Sequence, residues 1–499
     1  MRFSKFLLTL LALALVILTG APAVMAQDDQ PLVPLDDPMA PFLESRAYAA
    51  QMGATAEFRK MEWVAYDAVN KKLYLAMTEI SKGMSDDKGD IKLKENLCGI
   101  VYVADVDDTG DIKVLKPLIV GGPYNKDAKG DKCDVNNIAN PDSVFVDTKG
   151  RLWIGEDTSY HVNNALWMWD GKQLNRFATV PKGGEVTGFY AASDGTLFFN
   201  AQHPSGMSLY PYNRGVVGVV NGFKSTDSFE PLAVPQGADQ SQIMVAAGEY
   251  QVLSRVGEAI PNDMYGQRFG QINNLAGQLQ HVCNAPDGNM WLPTAADGSE
   301  GYLYTNYECQ PGAVGRLYLK RDGKAWQVLE GENVDFSGVA GTWNNCGASV
   351  TPWNTGLSAE EYEPFATQKD WKKNVAPMTA YLGQQANPYD YGWLVELHPD
   401  PNGDSAGTVS EKRYAMGRFS HEMAVVLPDG KTTYHGDDGT NVVLFKFVAD
   451  EAGDLSAGTL HAAKITQNAD DSLGITWIKL GSGNDDEIAE AIANLQLPK

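Results

Sequence analysis

Cationic side chains are scarce in this sequence. Forty Lys and Arg stand against 63 Asp and Glu, a formal net charge of −23. A surface of that sign argues against nucleic acid, whose phosphates need cationic partners; it suits divalent cations or simply solubility. Histidine is scarcer, seven in 499 residues, and His203, His281 and His421 lack the spacing of a zinc-binding helix. No Gly-x-Ser-x-Gly segment stands in the strand-to-helix context of a nucleophile elbow. Helical patterns are few, confined to residues 43–51 and 486–495. Past the first twenty residues no run approaches 18 apolar positions, so no spanning helix is expected there.

Cysteine is both scarce and odd in number: Cys98, Cys133, Cys283, Cys309 and Cys346. In an oxidising compartment at least one lacks an intramolecular partner. Cys98 with Cys133 and Cys283 with Cys309 are close enough in sequence for local bridges, which leaves Cys346 over. A lone thiol is often only a buried apolar filler.

The amino terminus does carry a hydrophobic run. Arg2 and Lys5 precede a short apolar stretch from Leu7 to Gly20, and Val24-Met25-Ala26 offers small residues before Gln27. This pattern predicts a secretory signal peptide cleaved after Ala26, hence a secreted or periplasmic protein with no stable membrane insertion.

Aromatics, Gly and turn residues recur at short intervals, which predicts many short strands and an all-β fold. A weak repeat runs through the chain. Glu62–Asp67 turns at Asn70-Lys71 into Leu73–Ala76, and Asp142–Asp147 turns at Lys149-Gly150 into Leu152–Gly155. Glu185–Phe189 turns at Asp194-Gly195 into Leu197–Phe199. His281–Asn284 is expected to turn at Asp287-Gly288 into Met290–Leu292. Glu422–Val426 turns at Asp429-Gly430 into Thr433–His435. Each is a β-hairpin pattern, and five of them with irregular inserts suit blades stacked about an axis. The expected architecture is a six-bladed β-propeller with inserted loops and a few short helices, one blade poorly marked near 302–349; seven blades is the alternative.

Four of the five hairpins open on an acid: Glu62, Asp142, Glu185 and Glu422. In a propeller the innermost strands line the channel, so equivalent strand-opening positions converge on the axis. Buried like charges persist only when paired or metal-bound, and clustered oxygen ligands are what Ca²⁺ requires. Capping of local turns is the bland explanation for any one of these acids, less so for four at equivalent positions. The stripe Trp153, Trp167, Trp169 reads as blade packing.

Asn344-Asn345-Cys346-Gly347-Ala348-Ser349-Val350-Thr351-Pro352-Trp353 resembles the Asn-Cys-Ala-Gly-Gly-x-Thr-Pro-Trp-Gly motif of PhoX-type alkaline phosphatases. Ala359-Glu360-Glu361 stands where that family has Thr-Cys-Glu-Glu. Gly301–Glu308 resembles Gly-x-Leu-x-x-Asn-His-Glu, and Gly417–Glu422 matches Gly-Arg-Phe-x-His-Glu. Met61-Glu62, Pro141-Asp142-Ser143, Glu185–Gly188 and Asn200–Pro204 are similar to further family blocks. The blocks stand in circularly permuted order, which a closed ring tolerates because each blade needs its neighbours and not a particular end.

The resemblance implies a six-bladed propeller with iron and calcium in its channel, Fe³⁺ and Ca²⁺ as cofactors, hydrolysing phosphomonoesters. It implies that Cys346 is the thiolate joining the iron ions and that Glu62, Asp142, Glu308, Glu361 and Glu422 are metal ligands; Glu185, at an equivalent strand-opening position, is expected to bind metal with them. Lys60 stands where the family has the Arg of Arg-Pro-Glu and is the candidate phosphate contact. Lys60-Met61, Ala348-Ser349, Tyr307 and Ala359 depart from the family pattern, and Lys is not equivalent to Arg at a bidentate site. The expected organisation is a signal peptide at 1–26, an extended segment at 27–45, one propeller phosphatase-like domain at 46–480 and a short C-terminal helix or tail at 481–499, acting as a monomer on a small-molecule phosphoester. Competing readings are a calcium-bound propeller lactonase or phosphotriesterase, and a non-catalytic, calcium-stabilised envelope binding protein.

Overall fold

The computed structural model describes residues 30–263, 266–399 and 408–498. The signal expected at 1–26 lies outside them. The fold is all-β and propeller-like, with few helices. Among the described residues no helix is long and apolar enough to cross a membrane.

Six antiparallel meanders follow one another along the chain, opening on Phe58–Asp67, Pro141–Val146, Glu185–Ala191, Pro286–Pro293, Asn345–Val350 and His421–Val426. Each opening strand packs against the opening strands of the meanders before and after it, and the sixth returns to the first. The result is a closed ring. The first and sixth meanders are joined twice into one sheet: Phe58–Asp67 pairs with Thr432–Val442, and Val114–Val120 pairs with Leu473–Asn484, which closes a circuit of eight strands.

The apolar core is divided between the meanders. Leu75, Tyr434 and Ile465 pack between the sixth and first, and Trp63, Ile154 and Trp167 between the first and second. Trp153, Val186 and Phe199 fill the next gap, followed by Phe198, Trp291 and Leu317. Met290, Tyr304 and Val395 come next, then Leu357, Trp393 and Phe445. Alternate residues of a strand face opposite sides, so Trp153 and Ile154, or Phe198 and Phe199, serve two neighbouring gaps at once. Of the aromatic stripe, Trp153 and Trp167 are buried in this packing and Trp169 lies partly buried against it.

Four expected hairpins are present at the predicted strands. The one expected through Asp287-Gly288 is not. Those residues lie inside the strand Pro286–Pro293, while Leu279–Val282 pairs backward with Gln271–Asn273. Asp-Gly is a turn pair only where φ is positive and space is open. Here a Cβ on Gly288 would lie 2.4 Å from the Ala348 backbone nitrogen, so this glycine permits a close approach of two opening strands. The poorly marked region 302–349 is divided: Glu300–Tyr307 and its two following strands complete the fourth meander, and Asn345–Val350 opens the fifth.

The helix expected at 43–51 is two short helices, Ala40–Leu43 and Ser45–Gln51, and the first of them lies in the segment expected to be extended. The C-terminal helix spans Asp485–Asn494. Asn484 caps it by accepting the Glu487 N–H, and three acids lie in its first turn, where the helix dipole favours them. The preceding strand, Leu473–Asn484, passes the expected boundary at 480. Two further helices, Trp371–Asn374 and Ala376–Leu382, lie in the insert of the fifth meander. Disulfides join Cys98 to Cys133 and Cys283 to Cys309, and Cys346 is free and buried.

Candidate metal centre

Each opening strand delivers one side chain to a common cluster: Glu62, Asp142, Glu185, Asp287, Cys346 and Glu422. The backbone explains why. In five of the six meanders, strand pairing skips this residue and the next. Pairs run from Met61↔Met77 to Val64↔Leu75, from Pro141↔Glu156 to Val144↔Ile154, and from Pro286↔Tyr307 to Asn289↔Thr305. The same break separates Asn345↔Glu360 from Ala348↔Ser358, and His421↔Asp437 from Ala424↔His435. A bulge of this kind leaves its residue unpaired and re-aims its side chain. In the third meander Glu185 itself pairs, with Gln202, and the break falls later, around Gly188.

A second set of side chains comes from the residue that follows each paired partner: Thr78, Asp157, His203, Glu308, Glu361 and Asp438. Three of these end an acid doublet in which the first member is structural. Glu156 accepts from the Ala139 and Ala165 amides and the Trp167 indole. Glu360 accepts from the Trp343, Gly392 and Trp393 amides and faces Lys412 at 3.3 Å. Asp437 holds Arg46 and the Val443 amide. The second members, Asp157, Glu361 and Asp438, turn toward the cluster.

Among the described residues, three groupings bring ligand atoms within 4.8 Å of one another: Asp287, Glu308 and Cys346; Cys346, Glu361 and Glu422; and Glu62, Asp142 and Glu422. The Cys346 sulfur lies 3.0 Å from Asp287 Oδ2 and 3.1 Å from Glu422 Oε1. A thiol has one proton and cannot donate to both. Asp287 Oδ1 is buried with no hydrogen-bond partner. Around the cluster, Gln202 donates to Glu308 at 2.7 Å, Asn344 donates to Glu308 and Glu361 at 3.2 and 3.1 Å, and Thr78 donates to Glu62. Asn306 pins the bulge from behind, donating to the Cys346 and Gly347 carbonyls.

Among the described residues, only two cationic groups meet these acids directly. Lys60 Nζ is 3.2 Å from Glu62 Oε1 and 3.9 Å from Asp438 Oδ2. His203 Nε2 is 3.3 Å from Glu185 Oε1. Burial pushes Glu62 up to about 7, with Asp438 adding to it, and pushes Asp287 up to about 8, with Glu308 adding to it. Asp142, Glu185, Glu361 and Glu422 move well upward for the same reasons, and Glu308 is raised by its burial. Burial, then Asp287 and Glu422, raises the Cys346 thiol. Burial opposes the charge on His203, but Glu185 and Asp157 carry it up to about 10. Burial also opposes the charge on Lys60, and Glu62 and Asp438 overcome it.

A cation fits this donor set. It would serve both carboxylates at the sulfur, occupy the free Asp287 oxygen and lower the raised carboxylates and thiol. The backbone carries strain here as well: Lys60, Asn140, His203, Asn344 and Tyr362 all have φ between 30° and 50°. Non-glycine residues hold that conformation mainly where the surroundings over-determine it, and such residues cluster at functional sites.

A family model described as alkaline phosphatase PhoX matches residues 36–205 and 313–496. The chain belongs to the PhoX alkaline phosphatase family. No curated protein matches it. Among solved structures, this PhoX-family chain is similar to Pseudomonas fluorescens PhoX in complex with vanadate, a transition-state analogue, at 19% identity over 46% of this chain and 55% of that one, with a TM-score of 0.31. It therefore spans about half the length of the PhoX structure it matches. It is also similar to Penicillium chrysogenum α-L-arabinanase complexed with arabinobiose, at 8% identity over 86% and 97%, TM-score 0.38. A third is the Dos1 propeller, at 10% over 86% and 94%, TM-score 0.33.

The structure brings Glu62, Asp142, Glu308, Cys346, Glu361 and Glu422 together, sets Lys60 against Glu62 and places Glu185 on His203. Asp287, Asp157, His203, Asp438 and Thr78 are additions to the sequence-derived set. A signal for Asp287 was available: Pro286-Asp287 repeats the Pro141-Asp142 doublet. The doublets Glu156-Asp157, Glu360-Glu361 and Asp437-Asp438 repeat as well. His421 is buried beside the cluster, with Nε2 on the Gly417 carbonyl.

Proposed function

We propose that this protein is an exported, metal-dependent phosphatase, a six-bladed propeller that hydrolyses small-molecule phosphomonoesters with iron and calcium held at the axis. The observation that carries the reading is the single sulfur set between two carboxylates inside a ring of acids, in a chain of the PhoX family. Two disulfides suit an oxidising compartment, and the permuted motif order suits a ring closed between its first and sixth meanders.

Cys346 with Asp287, Glu308, Glu361 and Glu422 would hold iron, and Glu62, Asp142 and Glu422 would hold calcium. Bound there, the ions would supply the positive charge that a phosphoryl group needs as its own charge redistributes. The chain's residues do the rest. Lys60 donates to a phosphoryl oxygen, and Glu62 and Asp438 hold its ammonium in place. Thr78 orients Glu62 by hydrogen bonding. His203 places a second positive charge on the Glu185 side. Preorganised donors of this kind contribute on the order of 10²–10³ in rate each. We therefore expect Lys60→Ala to lower kcat about 100-fold on a chromogenic phosphomonoester.

The deciding experiment is metal analysis of purified protein with the same assay, for wild type and Cys346→Ala. Both metals in wild type, with iron and turnover lost together in Cys346→Ala, support the proposal. Full activity in Cys346→Ala excludes Cys346 as an iron ligand. Calcium without iron and no turnover of any phosphoester points to a scaffold that binds without catalysis.

A further inference from the structure

We infer that Tyr362 is a specificity-determining residue, whose exposed ring face selects phosphomonoesters with a flat or apolar alcohol portion. The inference rests on the phosphatase reading and deepens it.

Tyr362 follows Glu361 directly, and its backbone is clamped from both sides. Its N–H donates to Ser420 Oγ at 2.7 Å, and its carbonyl accepts from the Trp343 indole at 2.8 Å. These bonds hold a bulky residue at a φ of 48°, a conformation that an aromatic side chain adopts only under constraint. The phenol hydroxyl reaches inward and donates to Asp438 Oδ2, the same oxygen that faces Lys60. The residue as a whole is nevertheless 45% exposed. The hydroxyl is thus tied into the group that holds the phosphate contact and the backbone is clamped, so the exposed part of the residue is the ring held between them. A phosphoryl group on Lys60 leaves the alcohol portion of its ester on that outward side, against the ring.

The surroundings match. The loop that follows His203 exposes Met207, Leu209, Tyr210 and Tyr212, and Phe365 is exposed three residues beyond Tyr362. Both loops follow the second strands of their meanders, so these apolar side chains emerge at the same end of the ring as Tyr362. An aromatic face adds about 0.5–1.5 kcal/mol to a stacked partner beyond area burial, up to about tenfold in affinity.

The test compares kcat/KM for phenyl phosphate and glycerol 1-phosphate on the metal-loaded protein, for wild type, Tyr362→Phe and Tyr362→Gly. Glycine accepts the positive φ, so this variant relieves strain and is expected to fold. Wild type should prefer the aryl ester. Tyr362→Phe should keep that ratio whatever happens to the absolute rates, because the ring face survives. Tyr362→Gly should lower the ratio about fivefold. A ratio unchanged in Tyr362→Gly overturns the inference, even if both rates fall.

Calorimetric binding of phenylphosphonate against methylphosphonate gives a readout independent of turnover. If neither ester is hydrolysed but phenylphosphonate binds in a Tyr362-dependent way, the phosphatase reading fails while the role of Tyr362 stands. If the two phosphonates bind alike in wild type, the role of Tyr362 fails.

Discussion

At the scale of single residues, the acid doublets divide one chemistry into two jobs. Glu360 and Glu361 are both buried glutamates, yet the first accepts three backbone amides and faces the buried Lys412, while the second shares the Asn344 amide and joins the grouping with Cys346 and Glu422. Glu360→Gln should therefore leave Lys412 without its countercharge and cost about 3–5 kcal/mol, read as a lower denaturation midpoint. Glu361→Gln should lower activity and metal content on the order of 10–100-fold with a much smaller change in the metal-free midpoint. The same division is expected between Asp437, which holds Arg46, and Asp438, which faces Lys60 and Tyr362. Equal stability losses in Glu360→Gln and Glu361→Gln would remove the distinction.

The sequence could not reveal this division, because two adjacent acids are chemically alike until pairing register decides which one faces the axis. It did reveal Glu62, Asp142, Glu185 and Glu422, because each opens a strand that leads to a recognisable turn. Asp287 was missed for the opposite reason. An Asp-Gly pair, the usual mark of a hairpin, here supplies a cluster residue and then a glycine that lets two strands touch.

At the scale of strands, the bulges and small residues are what bring the six opening strands so near each other. A Cβ on Gly347 would fall 2.3 Å from the Glu422 carbonyl, and one on Gly436 would fall 1.8 Å from the Glu62 carbonyl. Both clashes are with backbone, which cannot step aside cheaply. Gly347→Ala should push the fifth and sixth opening strands apart, lowering stability by about 1–3 kcal/mol or more and separating Cys346 from Glu422. Thermal unfolding and iron content measure the two effects, and a wild-type iron content in Gly347→Ala would show that the spacing is not critical. The four correctly expected hairpins were legible because their turn residues are local. The closing partnership of Phe58–Asp67 with Thr432–Val442 was not, since nothing in either segment names a partner 376 to 384 residues away, from Met61↔Asp437 to Phe58↔Val442.

For the molecule as a whole, the cluster sets how stability depends on pH. Without cations, the folded state holds Glu62 and Asp287 at about 7 and 8, well above the usual carboxylate range, because burial and neighbouring acids disfavour their charge. A group raised in this way contributes stability below its unfolded value that is lost as pH rises through its folded value. The metal-free protein should therefore melt at progressively lower temperature between about pH 4 and pH 8. Adding Ca²⁺ at the alkaline end should restore the melting temperature, because bound cations stabilise the native state by mass action. Calorimetry after chelation, with and without the ion, measures both limbs. A metal-free protein that gains stability over that interval would show that the acids are not buried together.

The ring takes a contribution from every meander, from Glu62 in the first to Glu422 and Asp438 in the sixth. A nascent chain emerging residue by residue has no usable fragment of this site, because its last corners appear only once Glu422 and Asp438 have been made. Ions meet either a finished cluster or an unfolded string of acids. Capture of a metal ion by this cluster would thus be a late event in biogenesis, and a product truncated before Glu422 would be released empty.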